Sequence, residues 1–184
     1  MAKNLSNEIP EPPLSRFLFS DTRMSWLWLV LRIYVGYAWL TAGWGKVTNP
    51  AWFGPEAGKA ITGFLMGSLE KTSGAHPDVA GWYAEFIKNV AIPNAPVFSH
   101  MVALGELFVG IGLILGLFTG IAAFFGAFMN MNFLFAGAVS TNPILFVIQL
   151  FLILAWRTAG WVGLDRYLLP YLGTPWQKGK LFKK

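Results

Sequence analysis

The sequence predicts an all-α polytopic membrane protein: a bundle of four transmembrane helices with a long outer loop that carries short interfacial helices. Three observations carry that expectation. Of 184 residues, 55% are hydrophobic and 12% charged, against about 25% charged in soluble domains. The apolar residues gather into four blocks of near membrane-spanning length, and the Lys and Arg residues crowd outside those blocks toward the two ends of the chain.

The blocks run over residues 24–44, 97–117, 119–138 and 143–158. About 20 residues at 1.5 Å rise cross a ~30 Å hydrocarbon core. Helix is expected rather than strand, because the runs are long and every backbone polar group in lipid must be paired internally. The first block does not read as a secretory signal: it is too long, it contains Arg32, and no small-residue cleavage site follows.

Four spans put both termini on one side, where Lys3, Arg16 and Arg23 join Arg157, Arg166, Lys178, Lys180, Lys183 and Lys184. The segment between the first two spans has Lys46, Lys59, Lys71 and Lys88, balanced by Glu56, Glu70, Asp78 and Glu85. The positive-inside rule then places both ends in the cytoplasm of a cell-membrane protein. The formal charge of +5 is a topology and lipid-headgroup signal. No basic stripe with interleaved stacking aromatics is present, so nucleic acid is not an expected partner. The expected organisation is a cytoplasmic tail over 1–23, a membrane domain over 24–168 with its outer loop at 45–96, and a basic cytoplasmic tail over 169–184.

That outer loop is too long for a plain connector. In "GKAITGFLMGSLEK" Ile61, Leu65 and Leu69 fall at helical spacing, and in "VAGWYAEFIKNV" Val79, Tyr83, Phe86, Ile87 and Val90 share one side. Both read as short amphipathic helices at the outer interface. Trp44, Trp52, Phe53, Trp82 and Tyr83 suit an aromatic belt at headgroup level, with a lid over an outward cavity as the alternative.

Each span carries one strongly polar side chain: Arg32, Glu106, Asn130 and Gln149. Counted from the midpoints of the blocks, all four fall within roughly 5 Å of the bilayer centre. Charges at that depth are costly and mark candidate sites. Arg32 is expected to pair with Glu106, fork to carboxylate, with Asn130 and Gln149 satisfying what remains; a purely registering ion pair is the structural alternative. Asn132 lies about 200° around its helix from Asn130, so the two cannot face one centre. Gly112, Gly116 and Gly120, and Ala122 and Gly126 before Asn130, recur every four residues and predict close helix approach.

The chain has no cysteine and two histidines. A disulfide relay, a cysteine-held iron–sulfur cluster and a thiolate haem are thereby excluded, and His76 and His100 are not spaced as a haem or metal pair, so no metal or haem is expected.

The run "LRIYVGYAWLTAGWGKV", the "GELFVGIGLILGLFTGIAA" segment with Glu106, the "MNMNFLFAGAVSTNP" segment and the closing "AWRTAGWVGLDRYL" together resemble the DoxX/DoxD family of four-helix membrane proteins over about residues 24–168. The likeness is closest to the DoxD type, the small membrane subunit associated with thiosulfate:quinone oxidoreductase. One departure is Gly163, where many relatives have Ser before the final Leu-Asp. The resemblance implies oxidoreduction linked to the quinone pool, with thiosulfate oxidised to tetrathionate and a second redox subunit as partner. On that reading Phe124, Phe125, Phe128, Phe133 and Phe146 supply an apolar slot for quinone. Arg32 or Asn130 holds a quinone carbonyl, Glu106 exchanges the proton, and Gln149 and Asn132 complete the binding set. Lys46 joins Arg32 in attracting an anionic sulfur substrate, its alternative being a lysine that snorkels to the interface. Two other classes remain open: a non-catalytic membrane anchor of a larger redox complex, and a small carrier.

Overall fold

The computed structural model describes residues 10–174 and 177–182, all in helices, turns and one small hairpin. Lys3, Lys183 and Lys184, counted in the charge argument, lie outside the described residues. A short helix, α1 (Pro13–Ser20), precedes the long α2 (Ser25–Val47). The segment between α2 and the next long helix folds into α3 (Lys59–Leu69) and α4 (Gly81–Phe86), the latter continued by a π-turn over Ile87–Ala91. Then come α5 (Ala95–Leu115), α6 (Thr119–Phe135), α7 (Asn142–Leu154), the single turn α8 (Trp156–Ala159) and α9 (Asp165–Leu172). A hairpin of β1 (Gly173–Thr174) and β2 (Gln177–Lys178) closes the described chain, pairing Gly173 with Lys178 and Thr174 with Gln177.

The sequence blocks are found as helices, with two adjustments. The third and fourth are shorter than expected: α6 stops at Phe135, and Ala155 breaks the fourth block between α7 and α8. Among the described residues only α5 is long and apolar enough to cross a membrane by itself; α6 and α7 are apolar but 17 and 13 residues long. In α2, Arg32 and Lys46 interrupt the apolar run.

Helix α2 packs along α5, α5 against α6, and α6 along α7. The α2–α5 contact is backbone-close: a Cβ at Gly43 would lie 2.4 Å from Leu107 N, and one at Gly110 2.4 Å from Leu40 N. Gly112 meets Ala122 across the α5–α6 turn, as the four-residue spacing predicts. Trp28, Val35, Trp39, Val109, Leu113, Ala123, Leu145 and Leu152 form the main core. A second core lies under the α3–α4 segment, where Ile61 and Leu65 of α3 meet Val79, Tyr83 and Ile87. The amphipathic faces read from the sequence therefore cover a packed cap, with Leu69 and Phe86 at its margin and Val90 exposed. Lys71 Nζ ties this cap to the end of α6 by donating to Gly137 O (2.7 Å), and the Tyr83 hydroxyl does so by donating to Asn132 (3.1 Å).

Candidate functional site

The structure separates what the midpoint count placed in one layer. Gly36 abuts Leu113 and Ile114, and Gly43 abuts Glu106 and Leu107. Antiparallel α2 and α5 are therefore slid along one another, because the first turns of α2 overrun α5 to pack on α1: Trp28 Nε1 donates to Leu18 O at 2.8 Å. Arg32 thus stands at the α5 C-terminus, about two turns from Glu106, and the expected Arg32–Glu106 pair is not formed.

Arg32, 1% exposed, is held by carbonyls. Its Nη1 donates to Leu113 O and to Ile114 O (3.0 Å), and its Nη2 to Val162 O (2.7 Å). A helix C-terminus leaves carbonyls unpaired and carries partial negative charge, so a guanidinium there is favourable. The remaining acceptors of this end are also used. Leu117 N donates to Gly112 O (2.9 Å) in a Schellman turn around Gly116 (φ 63°). Leu164 N and Asp165 N then take Leu115 O (3.1 Å) and Gly116 O (2.8 Å).

Asp165 supplies the complement. Its carboxylate accepts from Phe118 N (2.6 Å) and Thr119 N (2.8 Å), capping the positive N-terminus of α6 and fixing Phe118 in a left-handed conformation (φ 49°). Gly163 has a steric reason: a Cβ there would lie 2.8 Å from Gly116 Cα, and one at Gly116 2.6 Å from Arg32 Nη1. Cation at one helix end and anion at the next make a knot that joins α2, α5, α6 and the segment after α8.

Glu106, 2% exposed, pairs instead with Lys46: Nζ lies 2.6 Å from Oε2. The lysine side chain is 21% exposed and sits 5.0 Å from the Trp52 ring, whose carbonyl accepts from Ser99 Oγ (2.6 Å). Lys46 is therefore more than a snorkelling lysine: it is the cation of the buried carboxylate, roofed by an aromatic ring of the outer segment.

Asn130 and Gln149, both fully buried, serve each other rather than Arg32. Their amides meet at 2.5 Å. With Gln149 oriented to accept from Trp39 Nε1 (2.7 Å) and donate to Leu145 O (3.1 Å), its groups are used. A matching turn of Asn130 gives its otherwise unpartnered oxygen a donor. Gly105 abuts Met129 and Gly126 abuts Val109 and Gln149, so Glu106, Asn130 and Gln149 do share a layer, from which Arg32 is absent. Asn132 faces away, as its angular position predicts, with Nδ2 on Phe128 O (2.8 Å) and Oδ1 on Tyr83. Phe124, Phe125 and Phe128, expected to line a slot, point outward from α6; Phe133 instead stacks on Trp39 and meets Phe64 edge-on.

The site therefore has a locked end and a more open one, with Trp39, Trp52 and Asp165 as members that the residue-by-residue reading did not assign. The DoxX family model matches residues 27–138, a stretch holding both Arg32 and the Lys46–Glu106 pair. The chain belongs to the DoxX family and is a membrane protein. No curated protein and no solved structure matches it.

Proposed function

We propose that this chain is the integral membrane subunit of a quinone-linked oxidoreductase. On this reading α2, α5, α6 and α7 cross the cytoplasmic membrane, both termini are cytoplasmic, and the α3–α4 cap lies outside. The observation that carries the proposal is the Lys46–Glu106 pair: a buried carboxylate whose cation reaches the edge of the bundle beneath Trp52. Ionisable groups at such depth mark proton or substrate routes in membrane proteins. Reducing a quinone takes two electrons and two protons. The electrons come from a partner redox subunit, and the DoxD resemblance implies as donor thiosulfate, two of which yield one tetrathionate and two electrons. Glu106 passes protons between the outer face and a quinone that approaches from the lipid, while Lys46 holds the carboxylate in place between transfers. Asn130 and Gln149, buried in the same layer as Glu106, hold the quinone carbonyl by exchanging their mutual hydrogen bond for it.

A scaffold reading has its own support: the amides of Asn130 and Gln149 and the indole of Trp39 satisfy one another, as in a registering network. Glu106→Gln separates the two. The amide still accepts from Lys46 but exchanges no proton at neutral pH. With its partner subunit copurified from native membrane, the variant is expected to assemble and lose at least ~10²-fold in electron transfer to a soluble quinone analogue, in the range of a lost acid–base group. Normal turnover in a well-assembled variant overturns the proton role and favours the membrane anchor.

A further inference from the structure

Where α7 gives way to α8 and α9, the chain forms a cleft of about 320 Å³ that plays no part in the redox reading. Arg157, Arg166, Lys178 and Lys180 line it together with one carboxylate, Asp165. Both oxygens of that carboxylate are already engaged by Phe118 N and Thr119 N, and among the described residues none of the four cations forms an ion pair. Like charges gathered in a concave site repel one another and raise the local concentration of anions.

The cleft is built rather than incidental. The β1–β2 hairpin sets Lys178 opposite Gly173, whose φ of 94° turns the chain out of α9. Arg166 is steadied over the Trp161 ring at 5.1 Å. Thr174 Oγ1, also in the lining, is enclosed and has no hydrogen-bond partner among the described residues, so its donor is unused there. Trp161 of the lining is exposed, as are Leu164, Tyr167, Tyr171, Leu181 and Phe182, all within two residues in sequence of a lining residue. An apolar and aromatic rim beside a cationic pocket suits the membrane–water interface.

We propose that this cleft binds the phosphodiester headgroup of an anionic phospholipid, its acyl chains lying against the rim. The four cations and the Thr174 hydroxyl address the phosphate oxygens, and the volume is that of a small-ligand site. The exposed apolar rim selects a lipid over a soluble phosphate, since only a lipid covers both parts of the surface.

The test uses the full chain in neutral detergent, with lipid binding counted by native mass spectrometry and thermal unfolding followed in parallel. Phosphatidylglycerol is expected to bind saturably and raise the unfolding temperature, and phosphatidylcholine and inorganic phosphate are not. Removing two cations in Arg166→Gln/Lys178→Gln should weaken phosphatidylglycerol binding about tenfold or more. Lys59→Gln/Lys88→Gln, in the outer segment, should leave it unchanged. Should the cleft double variant fail to fold, Lys180→Gln, on the exposed turn, carries the same test with a smaller loss. Equal binding of the two lipids, or unaltered affinity in the cleft variants, overturns the proposal. Displacement by inorganic phosphate at concentrations similar to the lipid's overturns the lipid assignment in favour of a soluble phosphate.

Discussion

Helix α2 carries two cations on the same face, Arg32 and Lys46, and they meet opposite fates. Arg32 is enclosed and engaged by three backbone carbonyls, and among the described residues no carboxylate forms an ion pair with it. Lys46 meets the carboxylate of Glu106 and keeps a fifth of its side chain exposed. Carbonyls cannot be titrated or displaced, so the Arg32 end joins helices permanently. An ion pair can be opened by a proton or a competing anion, and on the proposed function that is what the Lys46 end does. Depth alone does not distinguish the two charges; the kind of partner does.

The sharpest way to break the comparison is at Arg32. Arg32→Met strands the carbonyls of Leu113, Ile114 and Val162, the first of them fully buried, and removes charge-assisted bonds of ~1.5–3 kcal/mol each, so a loss of at least ~3 kcal/mol is expected in thermal or denaturant unfolding in detergent. Arg32→Lys should fall between, since a lysine lacks the fork that spans two chain segments. Lys46→Met should cost less stability than Arg32→Met; the reverse order would contradict the division of roles.

A smaller effect is expected from the anionic half of the knot. Asp165→Asn keeps one acceptor for the α6 amides but loses the charge at the helix N-terminus, for about 1 kcal/mol, and Asp165→Ala loses both, for up to ~2 kcal/mol. Hydrogen exchange should show the loss concentrated at the α5–α6 turn, where Phe118 is held with φ positive.

The cap is fastened to the end of α6 in part by Tyr83, and that fastening has a pH signature. Burial pushes the Tyr83 hydroxyl from the ordinary 10 up to about 12, so the folded cap favours the protonated phenol. Below pH 10 folded and unfolded states are both protonated and the contribution is fully present. As the pH rises from 10 through 12 the unfolded state ionises first and stability is lost. Tyr83→Phe should cost about 1 kcal/mol at neutral pH and abolish this component of the alkaline loss. An unaltered alkaline profile in that variant would assign the loss to other groups.

Much of this was legible in the sequence. The four apolar blocks, the two amphipathic faces of the outer segment and the small-residue spacing of Gly112 with Ala122 follow from helix periodicity, which is local. The opposed faces of Asn130 and Asn132 follow from the same rule. The pairing of Arg32 was not legible, because it depends on how far α2 slides along α5. That offset is set by α1 and by Trp28 reaching Leu18, contacts that no span length encodes. The residues held one unused signal: Arg32, Trp39, Gly43 and Lys46 recur at three- to seven-residue intervals on one face, which makes Lys46 as well as Arg32 a candidate partner for Glu106, the one carboxylate in the apolar blocks. Asp165 stood in the closing "GLD" motif, yet its role as cap of α6 required knowing that residues 162–165 return to the α5–α6 turn. The shortness of α7 depends on Ala155, which does not punctuate a hydrophobic run, whereas Gly137 (φ 70°) is an ordinary helix-stop signal beyond the end of α6 that the 119–138 block ran past.

The central claim is that Glu106 belongs to Lys46 and not to Arg32, and double-mutant cycles on unfolding free energy test it directly. Glu106→Gln is combined with Lys46→Met in one cycle and with Arg32→Met in the other, all measured in the same detergent. The Lys46–Glu106 cycle should show a coupling of ~1–3 kcal/mol, and the Arg32–Glu106 cycle should be additive within ~0.5 kcal/mol. Strong coupling between Arg32 and Glu106, with Lys46 and Glu106 additive, would contradict the account.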